Sequence, residues 1–416
     1  MFTSFASGDK ARSRMVAMIL VFLFLNGLCD GALMTVLAVY IAEIKGLGFK
    51  GVSLFYTSFG VASVVTSLIT TSKYGNISLK KRAYLGAFFL AVGYPIVSQV
   101  TDSNWLFIPG GISGAGMSLY VSALIGCLNE LATPDTRRHV FSQRNLYVNA
   151  GQCAGSILVG GLIHLFGAHV AGFFLLYKLF CMLAFGGCSW LFFNRTKPHL
   201  ETSIVFAEAK IPEKKTNFHM IIYALAFNFL VTMVVVGQID TVVPLIATQL
   251  MSLQMSQVSF IIVSNTLTVV LLQAYISKIT HHIDEGKLLT FTAWLWVLSY
   301  LWCLLGVSLI PNEPVLILVV FSIINGIGQC SFSSCYYPYI SKAASPSDFK
   351  RFSSGSSAAF NSGRALGLSF SGFALATQNI QFIWVYLSIS CFMIFAFSAL
   401  YQLYINRLSY AGLISD

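Results

Sequence analysis

Two segments of this 416-residue chain repeat each other: NAGQCAGSILVG at Asn149–Gly160 and NSGRALGLSFSG at Asn361–Gly372. The asparagine and three glycines recur at matching places, each 212 residues apart. Further matches keep the same order along the chain. GLCD, ending at Asp30, matches GQID, ending at Asp240, and the loop TPDTRRHVFS precedes the first copy as SPSDFKRFSS precedes the second. Repeats that keep one order indicate two halves built on one plan.

The composition places both halves in a membrane. Hydrophobic residues make up 56% of the chain and charged residues 10%, whereas soluble domains carry about 25% charged residues. Apolar runs of membrane-spanning length recur from end to end. We predict twelve spans, at residues 15–41, 51–72, 84–101, 105–128, 140–163, 168–193, 218–249, 256–276, 288–309, 313–340, 352–377 and 382–406. The predicted fold is an all-α membrane protein with twelve transmembrane helices in two pseudo-symmetric six-helix bundles.

The basic residues orient these spans. With the N-terminus in the cytoplasm, 20 of the 25 lysines and arginines fall on cytoplasmic segments, and only Lys45 and Lys50 fall outside. The positive-inside rule favours this orientation, and an even number of spans then leaves both termini in the cytoplasm. Because the net charge of +10 follows the loops in this way, we expect no nucleic-acid partner. The first run has no small-residue cleavage site, so we expect it to remain as a helix.

The longest polar interruption separates the sixth and seventh runs and reads NRTKPHLETSIVFAEAKIPEKKTN. It mixes charges of both signs with proline, as linkers do. We predict an N-terminal six-helix bundle at 1–193, a cytoplasmic linker at 194–217 and a C-terminal six-helix bundle at 218–416. Transporters built from parallel halves of this kind hold their substrate between the halves.

The chain resembles the major facilitator superfamily over essentially its whole length, and within it the drug:proton antiporter-like branch. After the second span, TTSKYGNISLKKR keeps Lys73, Gly75 and the basic run of the family's signature, with Ser72 in place of its aspartate. The fifth span keeps the glycines of the antiporter signature, with Ser156 where a proline is expected. The resemblance implies a secondary active transporter that works by alternating access. It also implies gating roles for Lys73 and Gly75.

Two aspartates hold equivalent places in the first span of each half, Asp30 and Asp240. A carboxylate at the bilayer centre costs about 2.5–3.5 kcal/mol on insertion scales, so each is expected to face a partner or an aqueous cavity. Three roles are open: a structural ion pair, a proton carrier, and a counter-charge for a cationic substrate. We predict proton coupling through both, since protonation would neutralise the buried charge when the cavity closes.

Three cations inside the spans need anionic or aqueous surroundings, because a guanidinium stays charged in essentially any protein environment. Arg144, on the fifth span, is the expected partner of Asp30 or of a substrate, with snorkelling as the alternative. Arg364 lies deeper in the eleventh span and aligns with Gln152, so it departs from the repeat. We predict that Arg364 binds substrate, with a buried ion pair as the alternative. Lys178, alone on the sixth span, is expected to snorkel to the interface.

Uncharged side chains complete the predicted substrate-binding set: Gln238, Asn149, Gln329, Tyr336 and Tyr337. Each has a structural alternative, because amides also bridge helices and tyrosines at a helix end form an interfacial belt. Glycines with small-xxx-small spacing let helix backbones approach closely. We predict that four of them also serve gating: Gly151, Gly155, Gly363 and Gly367.

The sequence contains no phosphate-cradling Gly-Lys-Ser/Thr motif and no nucleophile–base set, so we expect neither an ATP-driven pump nor an enzyme. We predict no cofactor and no metal site. The expected function is proton-coupled efflux of an amphipathic or aromatic small molecule by a monomer. The alternative is uptake or export of one defined metabolite, such as a siderophore, sugar or carboxylate. Short loops, and glycosylation sequons confined to cytoplasmic segments, favour the bacterial inner membrane.

Overall fold

The computed structural model describes residues 9–71, 77–132, 134–167, 172–186 and 216–410. Over these residues the chain forms twelve principal helices and no strand. In chain order they are α1 Asp9–Val39, α2 Gly48–Thr71, α3 Leu79–Gln99, α4 Phe107–Leu131, α5 Pro134–Phe166, α6 Gly172–Gly186, α7 Phe218–Val231, α8 Met255–Ile279, α9 Glu285–Leu309, α10 Pro314–Ala343, α11 Pro346–Ala376 and α12 Ile380–Tyr410. Short 3₁₀ turns occur at Ser103–Leu106 and Thr280–His282.

Nine of the twelve helices, counted over the described ranges, are long and apolar enough to cross a membrane. The exceptions are α3, α6 and α11. Helix α3 begins with three basic residues and α11 is rich in serine, which lowers their hydropathy. The 21 residues of α3 nevertheless extend about 31 Å, which matches a hydrocarbon core of about 30 Å. The predicted fold class, twelve helices in two bundles, is confirmed.

The two halves repeat the same helix pairings. In the N-terminal half α1 packs on α5, and α4 packs on both α2 and α3. In the C-terminal half α7 and its continuation pack on α11, and α10 packs on both α8 and α9. The halves meet through α5 against α8 and through α2 against α11. These two contacts are equivalent, because α5 corresponds to α11 and α2 to α8 in the repeat. The internal repeat of the sequence therefore corresponds to a repeat of packing.

Each half has a hydrophobic core of its own. One cluster of buried side chains runs from Met15 to Phe185, and the other runs from Ile221 to Ile394. Large apolar residues on the outer surface, including Leu68, Leu271 and Met393, are more than half exposed, as lipid-facing positions of membrane helices are. The boundaries 1–193, 194–217 and 218–416 remain predictions, because most of the linker lies outside the described residues.

The glycines of the repeat hold the first and fifth helices of each half together. A Cβ atom added at Gly151 or Gly155 would overlap the carbonyl oxygens of Phe24 or Leu28 on α1. In the other half, a Cβ at Gly367 would lie 2.7 Å from the carbonyl oxygen of Met233. Only glycine allows backbones this close. We call the two contacts the α1–α5 seam and the α7–α11 seam; a gating role for their glycines remains a prediction.

Helix α7 continues to Leu250 through irregular turns. Three π-helical segments follow it, at Thr232–Val236, Gln238–Val242 and Ile246–Leu250, with a short α-helical turn at Val243–Leu245. Gly237 and Pro244 interrupt this part of the chain. Such π turns are rare and occur frequently at functional sites. Helix α1 has a π segment only at its end, Tyr40–Ile44.

Candidate functional site

A cavity of about 260 Å³ lies between the two halves. Most of its wall comes from α1, α2, α4 and α5 of one half and from α7, α8, α10 and α11 of the other. The cavity wall contains seven of the nine residues predicted for proton coupling or substrate binding: Asp30, Arg144, Arg364, Asn149, Gln329, Tyr336 and Tyr337. Their placement brings two halves of the sequence into one site; a role in substrate binding remains a prediction for each residue.

Asp30 forms an ion pair with Lys178 of α6. The Lys178 ammonium donates a hydrogen bond of 2.5 Å to the Asp30 carboxylate. Asn26, one turn earlier on α1, donates from Nδ2 to the other carboxylate oxygen at 2.6 Å and accepts from Lys178 at 2.7 Å. The ammonium also lies 5.3 Å from the centre of the Tyr94 ring, within range of a cation–π contact. We call these four residues the Asp30 cluster.

The two charges of the Asp30 cluster differ in their access to the cavity. The Lys178 side chain is fully buried, whereas the Asp30 side chain is 15% exposed and belongs to the cavity wall. The expectation that Lys178 snorkels to the interface is wrong, because its ammonium reaches inward to Asp30. An ion pair in so dry a place is held by its mutual attraction and its hydrogen bonds. Of the two charges, Asp30 is therefore the one that the cavity reaches.

Arg144 does not pair with Asp30, although the sequence suggested it as a partner; Lys178 forms that ion pair instead. Over the described part of the chain it forms no ion pair, and its buried Nε has no hydrogen-bond partner. The guanidinium lines the cavity. Because a guanidinium keeps its proton in essentially any protein environment, Arg144 places a positive charge at the cavity wall.

Arg364 adds a second guanidinium, from the opposite half. It lies on α11 beside Gly237, whose missing side chain leaves room for the α11 backbone. Since Arg364 aligns with Gln152, it lies two turns further along its helix than Arg144 does, or about 12 Å at 1.5 Å per residue. The two guanidiniums thus mark different depths of one cavity.

A polar contact joins α5 to α8 on the side of the cavity nearer the start of α5. Asn145 donates to the Gln273 side chain at 2.7 Å, and Asn149 donates to the backbone carbonyl of Asn145 at 2.9 Å. Gln273 in turn donates to Ser334 of α10 at 3.2 Å. At the opposite end of α5, Gly160 lies against Ser259 of α8. The halves therefore touch on both sides of the cavity.

A row of aromatic rings runs from this contact into the C-terminal half. Phe141 of α5 stacks on Tyr337 of α10 with centroids 4.8 Å apart and planes 14° apart. Tyr337 contacts Tyr336, Tyr336 stacks on Phe332, and Phe332 contacts Trp296. We call these five residues the aromatic row. All except Phe141 belong to the cavity wall.

The remaining predicted residues lie in several places. The Gln238 amide is buried and donates to the backbone carbonyl of Met233 on its own segment at 2.8 Å, and to that of Gly367 across the α7–α11 seam at 3.0 Å. Asp240 lies in a π-helical segment, and its side chain is outside the part of the chain that the structure describes. Lys73 and Gly75 also lie outside the described residues. Their predicted roles remain untested.

Sequence reasoning missed three residues of this site. Asn26 carries a signal that the sequence does contain, because it stands four residues before Asp30 and therefore on the same helix face. Lys178 and Trp296 carry none, because their positions depend on how α6 and α9 are rotated in the bundle. All three contribute polar atoms or rings to the cavity or to the Asp30 cluster.

Comparison with known proteins agrees with this architecture. The family model described as Major Facilitator Superfamily matches residues 18–255 and 225–409. No curated protein matches the chain. Similar solved structures include a bacterial homologue of the iron transporter ferroportin in an outward-facing state, with 11% identity, TM-score 0.66, and 93% of this chain and 99% of that chain covered.

Two further structures show the same likeness. The human organic anion transporter MFSD10 (TETRAN) has 14% identity and TM-score 0.65, covering 93% of this chain and 99% of that one. A POT family transporter in complex with a thioalcohol-conjugated peptide has 13% identity and TM-score 0.68, covering 95% and 96%. At these identities the likeness shows the fold.

Proposed function

The chain belongs to the Major Facilitator Superfamily, and we propose that it is a proton-coupled secondary transporter that exports an amphipathic or aromatic small molecule. The Asp30–Lys178 ion pair carries this proposal. Asp30 is a carboxylate, which can bind a proton, and it lies at the wall of a cavity between two repeated halves with Lys178 as its buried counter-ion.

Alternating access suits the packing of the halves. They touch through equivalent contacts, α5 with α8 and α2 with α11, and these contacts lie around a central cavity. Rocking one half against the other would open the cavity to each side of the membrane in turn, as in transporters with this repeat architecture. A small-molecule substrate, protons and the lipid bilayer are the partners that this reading requires, and a monomer is sufficient.

Coupling to protons follows from the chemistry of the Asp30 cluster. When Asp30 binds a proton, the Lys178 ammonium loses its counter-charge and keeps only Asn26 and the Tyr94 ring as partners. A buried cation without a counter-ion is strongly disfavoured. The protonated and deprotonated forms would therefore favour different arrangements of α1 and α6, which is how a proton shifts a conformational equilibrium.

The aromatic row supports an amphipathic or aromatic substrate, since four of its five residues line the cavity and aromatic side chains offer a large apolar area with a polar tip on tyrosine and tryptophan. Export rests on the resemblance of the loop and span-five signatures to the antiporter-like branch. A single defined metabolite, such as a siderophore, sugar or carboxylate, is the second candidate. The two arginines of the cavity wall favour the carboxylate within that group.

Inside-out membrane vesicles test the proposed function. Their lumen corresponds to the periplasm, so an exporter driven by entering protons should load substrate into vesicles whose lumen is acidic. We expect accumulation of one or more members of a metabolite and drug panel, and loss of accumulation when a protonophore removes the gradient. Accumulation that is unchanged by the protonophore would contradict proton coupling.

The proposed location is the bacterial inner membrane with both termini in the cytoplasm. Reporter fusions after Gly48 and Asn312 should report the periplasm, and fusions within 196–215 should report the cytoplasm. A periplasmic signal from the fusions within 196–215 would overturn this topology.

A further inference from the structure

We propose that the ligand of the central cavity is an aromatic organic anion, with its acidic group on Arg144 and its ring against the aromatic row. This inference rests on the proposed transport function, for which it names the substrate class. It starts from the balance of charge in the cavity wall. Among the described side chains, Asp30 is matched by Lys178, whereas the guanidinium of Arg144 forms no ion pair.

Hydrogen-bond donors without acceptors point to the same class. Over the described residues, three buried atoms of the cavity wall lack a hydrogen-bond partner: the Arg144 Nε, the Trp296 indole nitrogen and the Tyr120 hydroxyl. The first two can only donate, and the hydroxyl can also donate. A ligand with several acceptors suits such a wall, and a carboxylate or sulfonate on Arg144 would also balance the charge of the guanidinium.

The aromatic row begins beside Arg144. Phe141 precedes Arg144 by three residues on α5, so the two lie on one helix face. The ring of Tyr337 stacks on Phe141, and the row continues through Tyr336 and Phe332 into the cavity. A ligand whose acid contacts Arg144 therefore has aromatic faces within reach of its apolar part. Aromatic pairs are attracted to each other beyond the effect of simple burial, which favours a ring over an alkyl group of the same size.

Binding of matched probes tests this inference without any gradient. The probes are 1-naphthoate, 1-naphthamide, 1-naphthylmethylammonium and decahydro-1-naphthoate, which vary the charge or the aromaticity on one skeleton. Isothermal titration calorimetry on the purified full chain in detergent at neutral pH measures each Kd. We expect 1-naphthoate to bind about tenfold or more tightly than the amide and the cation, as for a hydrogen bond to a charged group. We expect decahydro-1-naphthoate to bind more weakly than 1-naphthoate.

Two variants and a control locate the acid. Arg144→Gln should remove the preference for the anion, and Arg144→Lys should weaken it, because an ammonium does not reproduce the planar fork of a guanidinium. Arg407→Gln removes an exposed arginine at the end of α12 and should leave every Kd unchanged. If Arg144→Gln does not fold, the probe series on the parent chain and on Arg144→Lys still decides the question.

The outcomes separate this inference from the proposed function. Equal binding of anion and amide, preference for the cation, or no binding of 1-naphthoate at millimolar concentration overturns the inference and leaves proton-coupled transport standing. A preference for the anion that survives in Arg144→Gln also overturns it. Anion preference that depends on Arg144, in a protein whose vesicles ignore the pH gradient, supports the inference and removes proton coupling.

Discussion

The two halves follow one plan but place their charges differently. In the N-terminal half the polar interior holds a buried ion pair, Asp30 with Lys178, which Asn26 completes. In the C-terminal half, the wall of the cavity contains hydrogen bonds between neutral groups. Asn228 donates to the Ser356 backbone carbonyl at 3.0 Å, and the Ser356 hydroxyl shares a hydrogen bond of 2.8 Å with the Tyr336 hydroxyl.

This difference suggests a division of tasks between the halves. A carboxylate changes its charge when it binds a proton, whereas amides, hydroxyls and the Arg364 guanidinium keep theirs at physiological pH. Among the described side chains of the cavity wall, Asp30 is the one carboxylate. We propose that the N-terminal half senses protons through Asp30, whereas the C-terminal half supplies most of the aromatic row.

The largest expected effect tests that division directly. Asp30→Asn keeps the shape of the side chain but cannot release a proton. We expect it to reduce gradient-driven transport to background while substrate exchange without a gradient persists. Asp240→Asn is the matched variant in the other half. Transport into proteoliposomes with and without a pH gradient measures both.

The comparison of the two asparagine variants decides where coupling lies. Loss in Asp30→Asn alone assigns coupling to the N-terminal half, and loss in both makes the halves alike in this respect. If both variants accumulate substrate as the parent does, proton coupling through these aspartates is wrong. Thermal unfolding in detergent should first show that each variant is folded.

The next prediction concerns the stability of the Asp30 cluster. Lys178→Met leaves a carboxylate without its counter-ion, and breaking a buried pair from one side costs about 3–5 kcal/mol. The double variant Asp30→Asn with Lys178→Met removes both charges and should recover most of that loss. Thermal unfolding in detergent at neutral pH compares the single and double variants with the parent.

An exposed ion pair of the C-terminal half provides the control. Lys342 lies 3.6 Å from Asp284, and its side chain is 59% exposed. Lys342→Met should change stability by about 1 kcal/mol or less, since exposed pairs contribute little. Equal unfolding temperatures for Lys178→Met and Lys342→Met would show that Asp30 does not need Lys178 as a counter-ion.

The sequence predicted the fold because membrane spans and internal repeats are local signals, readable from hydropathy and spacing. It also predicted that Asp30, Arg144 and Arg364 would lie at a central cavity, since intramembrane charges seldom face lipid. It did not predict the partner of Asp30. That choice depends on the rotation of α6 and on the reach of the Lys178 side chain, and neither follows from the local pattern around Lys178.

The glycines of the α1–α5 and α7–α11 seams allow the two halves to be compared by how closely their helices pack. A Cβ at Gly155 would overlap the Leu28 carbonyl oxygen, whereas a Cβ at Gly367 would lie 2.7 Å from the Met233 carbonyl oxygen. We expect Gly155→Ala to destabilise more than Gly367→Ala, with overpacking costs of about 1–3 kcal/mol or more. Gly161→Ala is the control, because no atom lies within 4 Å of its added Cβ.

Thermal unfolding ranks these three glycine variants, and transport measured beside it separates packing from gating. A pure packing role lowers stability and activity together. Normal stability with lost transport would favour the predicted gating role for the seam glycines. A parent-like unfolding temperature for Gly155→Ala would show that α1 can move away from α5 at little cost.

The smallest effects concern the hydrogen bonds that cross the two seams. Ser156 donates one bond of 3.1 Å to the Gly31 carbonyl across the α1–α5 seam, whereas the Gln238 amide donates two bonds, one of them across the α7–α11 seam. Ser156→Ala should cost about 0.5–1.5 kcal/mol of stability, and Gln238→Met should cost more, because it removes two bonds of about that size.

Thermal unfolding compares the stability of the two variants, and titration with 1-naphthoate tests the predicted role of Gln238 in substrate binding. If Gln238→Met is less stable but binds 1-naphthoate with unchanged affinity, Gln238 stabilises the α7–α11 seam, as its hydrogen bonds to backbone carbonyls suggest. Unchanged stability with weakened binding would instead place its amide on the substrate, and the C-terminal half would then recognise its ligand through the first helix as well as through the aromatic row.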